Sequence, residues 1–458
     1  MTILKYPALL CLLLTFGCSA TQLTQRITLR HPTSSIPPVL VEGAHGPLSV
    51  QQTREILARL KQSAPETSIF TRHLALEEEI AGSPLMTGNK ITLLIDGPAT
   101  YKSMYAAIQG AKNHINLETY DIEADEVGRK FAGALMAKQK SGVQVNLIYD
   151  AFGSSNTPDS FFKQLADTGV RILEFNPINP LMLTREWEVG RDHRKLLVVD
   201  GRVAFVGGVN ISSVYSSGSF TSKPHGKNTQ PWRDTHIRIE GPVVAEFQKF
   251  FLTTWVTQKG GPLGTEVFFP PPIVKGTEVV RAISTRPIDH YSPIYVTLVS
   301  AINSAETYAY ITNAYFVPDV DLLEALKNAA RRNVDVRLLL PGKTDSNIVF
   351  YASRSYYDEL LSAGVKIYER QDALLHAKTA VIDGVWSTIG STNLDWLSSE
   401  HNQEINAVIL GQEFGEQMKS LFGKDMDAST LVTLEEWRKR PIELRLKEFA
   451  ARLLSGWI

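Results

Sequence analysis

Phe161-Phe-Lys-Gln-Leu165-Ala-Asp-Thr-Gly169-Val170-Arg-Ile172 returns 195 positions later as Tyr356-Tyr-Asp-Glu-Leu360-Leu-Ser-Ala-Gly364-Val365-Lys-Ile367. In each copy an amphipathic helix closes on Gly, which takes the left-handed backbone without strain, and a Val-Ile strand follows. Upstream, Gly142-Val143-Gln-Val145-Asn-Leu147 matches Asn333-Val334-Asp-Val336-Arg-Leu338 at an offset of 191, again behind a helical pattern. The chain therefore holds two copies of one α/β unit. Strands alternating with helices of this length predict, in each copy, a mainly parallel mixed sheet with helices on both faces.

Working outward, the first repeat spans 86–258 and the second 278–425, with the breaker-rich stretch 259–277 as the linker. Residues 19–85 read as a polar tether followed by a helical segment, with Ile91–Ile95 as the first convincing strand. Residues 426–458 carry Leu444, Leu446, Phe449, Leu453 and Leu454 among Arg and Lys, an amphipathic helix that either caps the second repeat or meets a membrane surface. With 458 residues, 43% apolar, the chain is long enough for a full core without disulfides. Lys+Arg 47 against Asp+Glu 48 leaves no basic excess, so no nucleic-acid partner is expected.

The only cysteines, Cys11 and Cys18, lie at the extreme N-terminus, which rules out a Cys-based metal site in the body. Lys5, the apolar run Ala8 to Leu14 and then Gly17-Cys18 read as an export signal, too short for the ~20 apolar residues of a spanning helix. Gly17-Cys18 resembles a bacterial lipobox, where the cysteine is acylated, although Thr15 and Phe16 stand where that pattern prefers Leu and a small residue. A lipidated Cys18 or a plain secretory cleavage would each carry the mature protein out of the cytoplasm. The expected location is the cell envelope, as a lipoprotein of the outer membrane or periplasmic face.

Each repeat also carries one sparse polar pattern: His193-Arg-Lys195-Leu-Leu-Val-Val-Asp200 and His376-Ala-Lys378-Thr-Ala-Val-Ile-Asp383. Seven residues past each Asp comes a tight turn with an amide, Gly207-Gly208-Val-Asn210 and Gly390-Ser391-Thr-Asn393. On a strand, His and Lys two apart share a side while the residue between them points away, so imidazole and ammonium line one pocket. A lone His-x-Lys would read as an exposed strand edge; two copies with matching tails do not. An acid completes each half, Asp234 after His193 and Glu404 after His376. Either these are ordinary surface acids or each bonds the far nitrogen of a catalytic imidazole, fixing its tautomer.

These residues resemble the duplicated HKD signature of the phospholipase D superfamily. Asp192 to Asn210, Ile239-Glu-Gly-Pro242-Val-Val and Asn313-Ala-Tyr-Phe316-Val-Pro-Asp319 are similar to its bacterial cardiolipin synthase branch. The chain departs from that branch in lacking the two N-terminal membrane-spanning stretches many members carry. It also has 19 residues from Glu174 to His193 where the second half has 7 from Glu369 to His376. The resemblance implies two repeats about a pseudo-twofold axis with one active site between them, and a phosphatidyltransferase acting on phospholipids, phosphatidylglycerol first. It implies a covalent phospho-histidine on His193, with His376 as acid and base and with no metal or cofactor. Lys195, Lys378, Asn210 and Asn393 would hold the phosphate oxygens; Asp200 and Asp383 would organise the motifs without touching phosphorus. Water as acceptor would make it a phospholipase D, and paired HKD motifs also serve phosphodiesterases on DNA. A non-catalytic lipid-binding envelope protein is the reading from another class.

Overall fold

A computed structural model describes residues 39–62, 64–177, 190–219, 231–264, 267–286 and 292–454. Cys18 and the export signal lie outside the described residues, as do part of the loop after Ser212 and the terminal Trp457-Ile458.

A short hairpin, β1 (Val41–Gly43) and β2 (Gly46–Pro47), opens the fold. The first repeat then contributes β3 (Leu85–Ile95), β4 (His114–Thr119), β5 (Gln144–Asp150), β6 (Arg171–Phe175), β7 (Lys195–Val199), β8 (Val203–Gly207), β9 (Trp232–Arg233) and β10 (Thr235–Glu240). The second contributes β11 (Glu278–Thr285), β12 (Tyr308–Thr312), β13 (Asp335–Pro341), β14 (Lys366–Arg370), β15 (Leu374–Leu375), β16 (Thr379–Ile382), β17 (Trp386–Gly390), β18 (Glu404–Leu410) and β19 (Ser429–Val432).

Corresponding strands pair in the same way in the two repeats. Parallel β4–β5–β6 is matched by parallel β12–β13–β14, and antiparallel β4–β7–β8–β10 by antiparallel β12–β16–β17–β18. The mixed α/β class with two repeats is as expected, but the sheet is less parallel than the helix–strand alternation suggests. The reason is local: Asp200-Gly201 and Asp383-Gly384 all take positive φ (54°, 60°, 50° and 71°), the geometry of a two-residue hairpin turn. Each motif strand therefore folds back antiparallel. β7 is buried at all five positions, which is why it reads as an unbroken apolar run after Lys195.

β3 is the junction between repeats, pairing along its C-terminal part with β10 and near its start with β11. Behind it, Leu196, Val198, Val206, Ile237 and Ile239 from the first repeat pack with Val381, Ile389, Ile405, Ala407 and Ile409 from the second in one core cluster. The seam between repeats is thus itself a hydrophobic core, with the site at its rim.

Residues 39 to about 50, the described end of the expected tether, do not hang free, while the segment after them is helical as expected. Val41 is fully buried beside Ile69 and Leu74 in the core of the second repeat, and β1 pairs parallel with β3. Glu77 sits buried between His73 at 2.7 Å and Arg281 at 2.8 Å, and Thr67 Oγ1 donates to the Asp383 carboxylate at 2.7 Å. This stretch is polar yet ordered because its charges are paired inside.

Candidate active site

Each motif histidine enters on backbone borrowed from the other repeat. The His193 N–H donates to the Gln403 carbonyl at 2.9 Å, and the His376 N–H to the Arg233 carbonyl at 2.8 Å. β15, just before His376, pairs parallel with β9, and Asp192 makes a parallel bridge with Gln403. Glu404 and Asp234, the next residues along, are thereby delivered to the opposite histidine. His193 Nδ1 lies 3.0 Å from Glu404 Oε1, and His376 Nδ1 lies 2.8 Å from Asp234 Oδ2. In sequence each acid falls to the histidine of its own half; the structure crosses them. All four side chains are buried. With Nδ1 engaged, Nε2 is left for chemistry on both rings.

The two carboxylates are held differently. Glu404 also accepts from the hydroxyls of Ser391 and Ser398. Burial opposes its ionisation, but His193, Lys195 and Ser391 outweigh burial and hold it below the ordinary carboxylate value. Asp234 accepts from the Thr235 N–H at 2.7 Å and packs on Gly208, where a Cβ would come within 2.2 Å of its Oδ1. Burial pushes it up to about 6, against Lys378 and Arg233. Gly208 is therefore a steric requirement of the Asp234 position, and Ser391, its counterpart, is a hydrogen-bond donor to the longer acid.

Lys195 Nζ donates back to the His193 carbonyl at 2.6 Å and lies 4.9 Å over the Tyr120 ring; Lys378 Nζ donates to the His376 carbonyl at 2.5 Å. Burial drives Lys195 down to about 7, with Lys378 adding to the effect, and Lys378 down to about 8; Glu404 and Asp234 act against the fall at both. Burial also lowers both imidazoles, His376 well below its usual value, with Lys378, Lys195 and His193 adding to the effect. Two lysines and two imidazoles converge with Glu404 and Asp234 behind the rings, and an incoming phosphodiester would add negative charge that favours their protonated forms.

Asn210 donates to the Tyr215 hydroxyl at 3.2 Å, and the amide oxygens of Asn210 and Asn393 are buried without a hydrogen-bond partner among the described residues. Asp200 and Asp383 are elsewhere. Asp200 accepts from the backbone N–H groups of Lys112, Asn113 and His114 at 2.8–3.0 Å. Asp383 accepts from those of Glu306, Thr307 and Tyr308 at 2.9–3.0 Å. They are not catalytic residues in the sense of touching the reacting atoms: they lie a whole strand from the histidines and pin the turns into β4 and β12.

Several site residues have no signature in the motif. Tyr120 stands edge-on to His193 at 5.0 Å, and Trp232, Tyr215 and Tyr315 ring His376 at 5.3, 5.8 and 6.3 Å. Arg194 does point away from the pocket, as alternation requires, yet it is buried in the seam. Its guanidinium donates to the Glu404 carbonyl at 3.3 Å, to Thr254 Oγ1 at 2.7 Å and to Ser284, and pairs with Glu118 at 3.4 Å. Arg233 plays a related part behind Asp234, donating to its carbonyl and, bidentately at 2.8 Å, to Asp425 of the second repeat. The available sign for Arg194 is that it breaks the match between the copies, standing where the second has Ala377.

Residues 104–218 and 298–426 match the family described as "Cardiolipin synthase, PLD-like domain". The chain belongs to this phospholipase D-like family. It is 37% identical over 386 residues to a cardiolipin synthase of Geobacillus kaustophilus (strain HTA426), covering 83% of this chain and 75% of that protein. A cardiolipin synthase 1 of Bacillus anthracis is 33% identical over 414 residues, covering 89% and 79%. Membership makes the protein an enzyme of the phospholipase D-like phosphatidyltransferases. Among solved structures, phosphatidylserine synthase of Haemophilus influenzae Rd KW20 superposes with a TM-score of 0.61 at 15% identity, over 83% of this chain and 99% of that one. Polyphosphate kinase of Porphyromonas gingivalis follows at 0.51 and 11% identity, over 80% and 53%. These two likenesses concern the fold alone. Among the described residues no helix is long and apolar enough to cross a membrane.

Proposed function

We propose that the enzyme joins two phosphatidylglycerol molecules into cardiolipin and glycerol by two in-line displacements at phosphorus. His193 Nε2 attacks the donor phosphodiester and forms a phosphatidyl-histidine, while glycerol departs with the proton carried by His376 Nε2. His376, now neutral, takes the proton from a hydroxyl of the second phosphatidylglycerol, whose oxygen attacks phosphorus and frees His193. Lys195, Lys378 and the amides of Asn210 and Asn393 hold the non-bridging oxygens, where charge builds up.

The observation that carries this reading is the crossed pair of carboxylate–imidazole contacts, His193 with Glu404 and His376 with Asp234, around two buried lysines. One imidazole on each side of a single phosphate pocket suits a nucleophile and an acid/base that exchange one proton. The likeness to named cardiolipin synthases over most of the chain supports the lipid substrate. The export signal and Cys18 support a lipid-anchored enzyme in the cell envelope.

The test is incubation of labelled phosphatidylglycerol in detergent micelles with the enzyme and with His193→Ala and His376→Ala. Cardiolipin with an equal amount of glycerol, lost in both variants, supports the proposal. Phosphatidic acid in place of cardiolipin overturns it in favour of water as acceptor.

A further inference from the structure

The described chain ends in a helix, Ile442–Leu453, whose inner face packs on the second repeat through Glu448 and Ala451, 3% and 7% exposed. Its outer face is apolar. Ile442, Leu446, Phe449 and Leu453 are 70%, 61%, 62% and 70% exposed, and their spacing of four, three and four places them on one stripe. Single exposed apolar residues are ordinary, but a stripe of four on one helix is not. Residues 438–454 carry six Lys or Arg against two Glu, in a chain whose net charge is −1. Five of these cations pair with carboxylates, but four of the pairs, Arg438–Asp358, Lys439–Glu435, Lys447–Glu443 and Arg452–Glu359, are solvent-exposed and weak, so headgroup phosphates can compete for the cations beside the apolar stripe.

The position of this helix relates it to the site. It runs alongside the helix Asn347–Arg354 in the same direction: Lys447 Nζ lies 5.9 Å over the Tyr351 ring, and the Arg452 guanidinium 4.3 Å over Tyr356. That register sets the first turn, with Ile442, toward the first turn of the neighbour, where Ile348 is 49% exposed. Just before that turn, the Asp345 carboxylate accepts from the Tyr315 hydroxyl at 2.6 Å, and Tyr315 stands edge-on to His376. The stripe therefore begins on the side of the second repeat from which Asp345 and Tyr315 reach toward His376.

We infer that this helix lies in the surface of an anionic lipid bilayer, with Ile442, Leu446, Phe449 and Leu453 in the acyl boundary and the flanking cations on the headgroups. The inference rests on the reading of the substrate as a bilayer phospholipid: a site that draws its substrate from a membrane needs its rim held there. A second copy of the chain fits this face less well, because a symmetric contact would set its cations against themselves.

The test uses the full chain with Cys18→Ser, which removes the acylation site proposed above, and compares it with the same chain carrying Leu446→Glu and Phe449→Glu. Both substitutions are on exposed positions. Sedimentation with vesicles of equal phosphatidylglycerol and phosphatidylcholine reads binding directly; short-chain phosphatidylglycerol below its micelle concentration reads the chemistry without a surface. The expected result is at least about a 10-fold loss of vesicle binding and of turnover of vesicle-embedded lipid, with the short-chain rate unchanged. Unchanged vesicle binding overturns the inference. So does a drop in the short-chain rate, which would make the helix part of the site, or a change in molecular mass by light scattering with binding intact, which would make it a contact between copies. Loss of vesicle binding in a protein that turns over neither substrate leaves the docking face standing and removes the proposed reaction.

Discussion

Glu404, in the second repeat, holds the Nδ1 of His193, in the first, at 3.0 Å, and the mirror contact joins Asp234 to His376 at 2.8 Å. Neither repeat is a complete catalytic half. The contact predicts a specific pattern of coupling. Glu404→Gln should cost on the order of 10²-fold in kcat, be non-additive with His193→Ala, and be close to additive with His376→Ala. Asp234→Asn should show the reverse. Double-mutant cycles on kcat/KM read this, and coupling of Glu404 to His376 instead would refute the crossed arrangement as the working one.

The two histidines should separate with an activated leaving group. His376→Ala should transfer poorly from phosphatidylglycerol but still release p-nitrophenol from a phosphatidyl p-nitrophenol, whose departure needs no proton. His193→Ala should release none. Mass spectrometry of the trapped His376→Ala protein should find the phosphatidyl group on His193; finding it on His376 in the wild type would exchange the roles.

Asp200 and Asp383 predict lost stability rather than lost chemistry. Each accepts three backbone N–H groups, and Asp383 also the hydroxyls of Thr67 and Thr307 at 2.7 Å. A hydrogen bond to a charged acceptor contributes about 1.5–3 kcal/mol net of its exchange with water, and water reaching the freed N–H groups at a turn offsets part of the loss. Asp200→Ala should lower unfolding free energy by about 2–3 kcal/mol, and Asp383→Ala by more. Urea midpoints check this, with the activity per folded molecule staying within a few-fold of wild type.

Burial holds Lys195 at about 7 and Lys378 at about 8 in the free site. From there up to about 10.4, the free lysine value, the unfolded chain binds protons that the folded chain does not. Stability contributed by these two groups therefore rises with pH across that window. Lys195→Met should flatten the rise between pH 7 and 9 in denaturant titrations. Over the same interval KM for the lipid should increase, since a neutral amine holds phosphate weakly; a KM that stays flat to pH 9 would show that the lysines remain charged.

Arg194→Met should destabilise by about 3–5 kcal/mol, because Glu118 and Asp192 would be left buried without their cation. Burial and Glu118 already push Asp192 well above the carboxylate range. Thermal unfolding at pH 7 measures the loss, and a shift of Tm under 3 °C would show that the seam tolerates it.

Much of the fold and the list of site residues could be read directly from the chain. The duplicated helix–Gly–strand, the His-x-Lys spacing and the Asp-Gly turns are local, and local periodicity is set by backbone geometry that needs no partner. Even the apolar stripe of the last helix is visible as Leu446, Phe449 and Leu453 in sequence. What the chain alone could not show is who meets whom. His193 and Glu404 are 211 residues apart, His376 and Asp234 are 142 apart, and each pair exists only because β3 and the shared core set the two repeats face to face. The same holds for Arg194, whose burial depends on Thr254, Ser284 and Glu404 converging at the seam, and for Asp383, which is tied down by Thr67 from the segment ahead of the first repeat. Spacing along a strand fixes the direction a side chain points; only the packing of the two sheets decides what stands there.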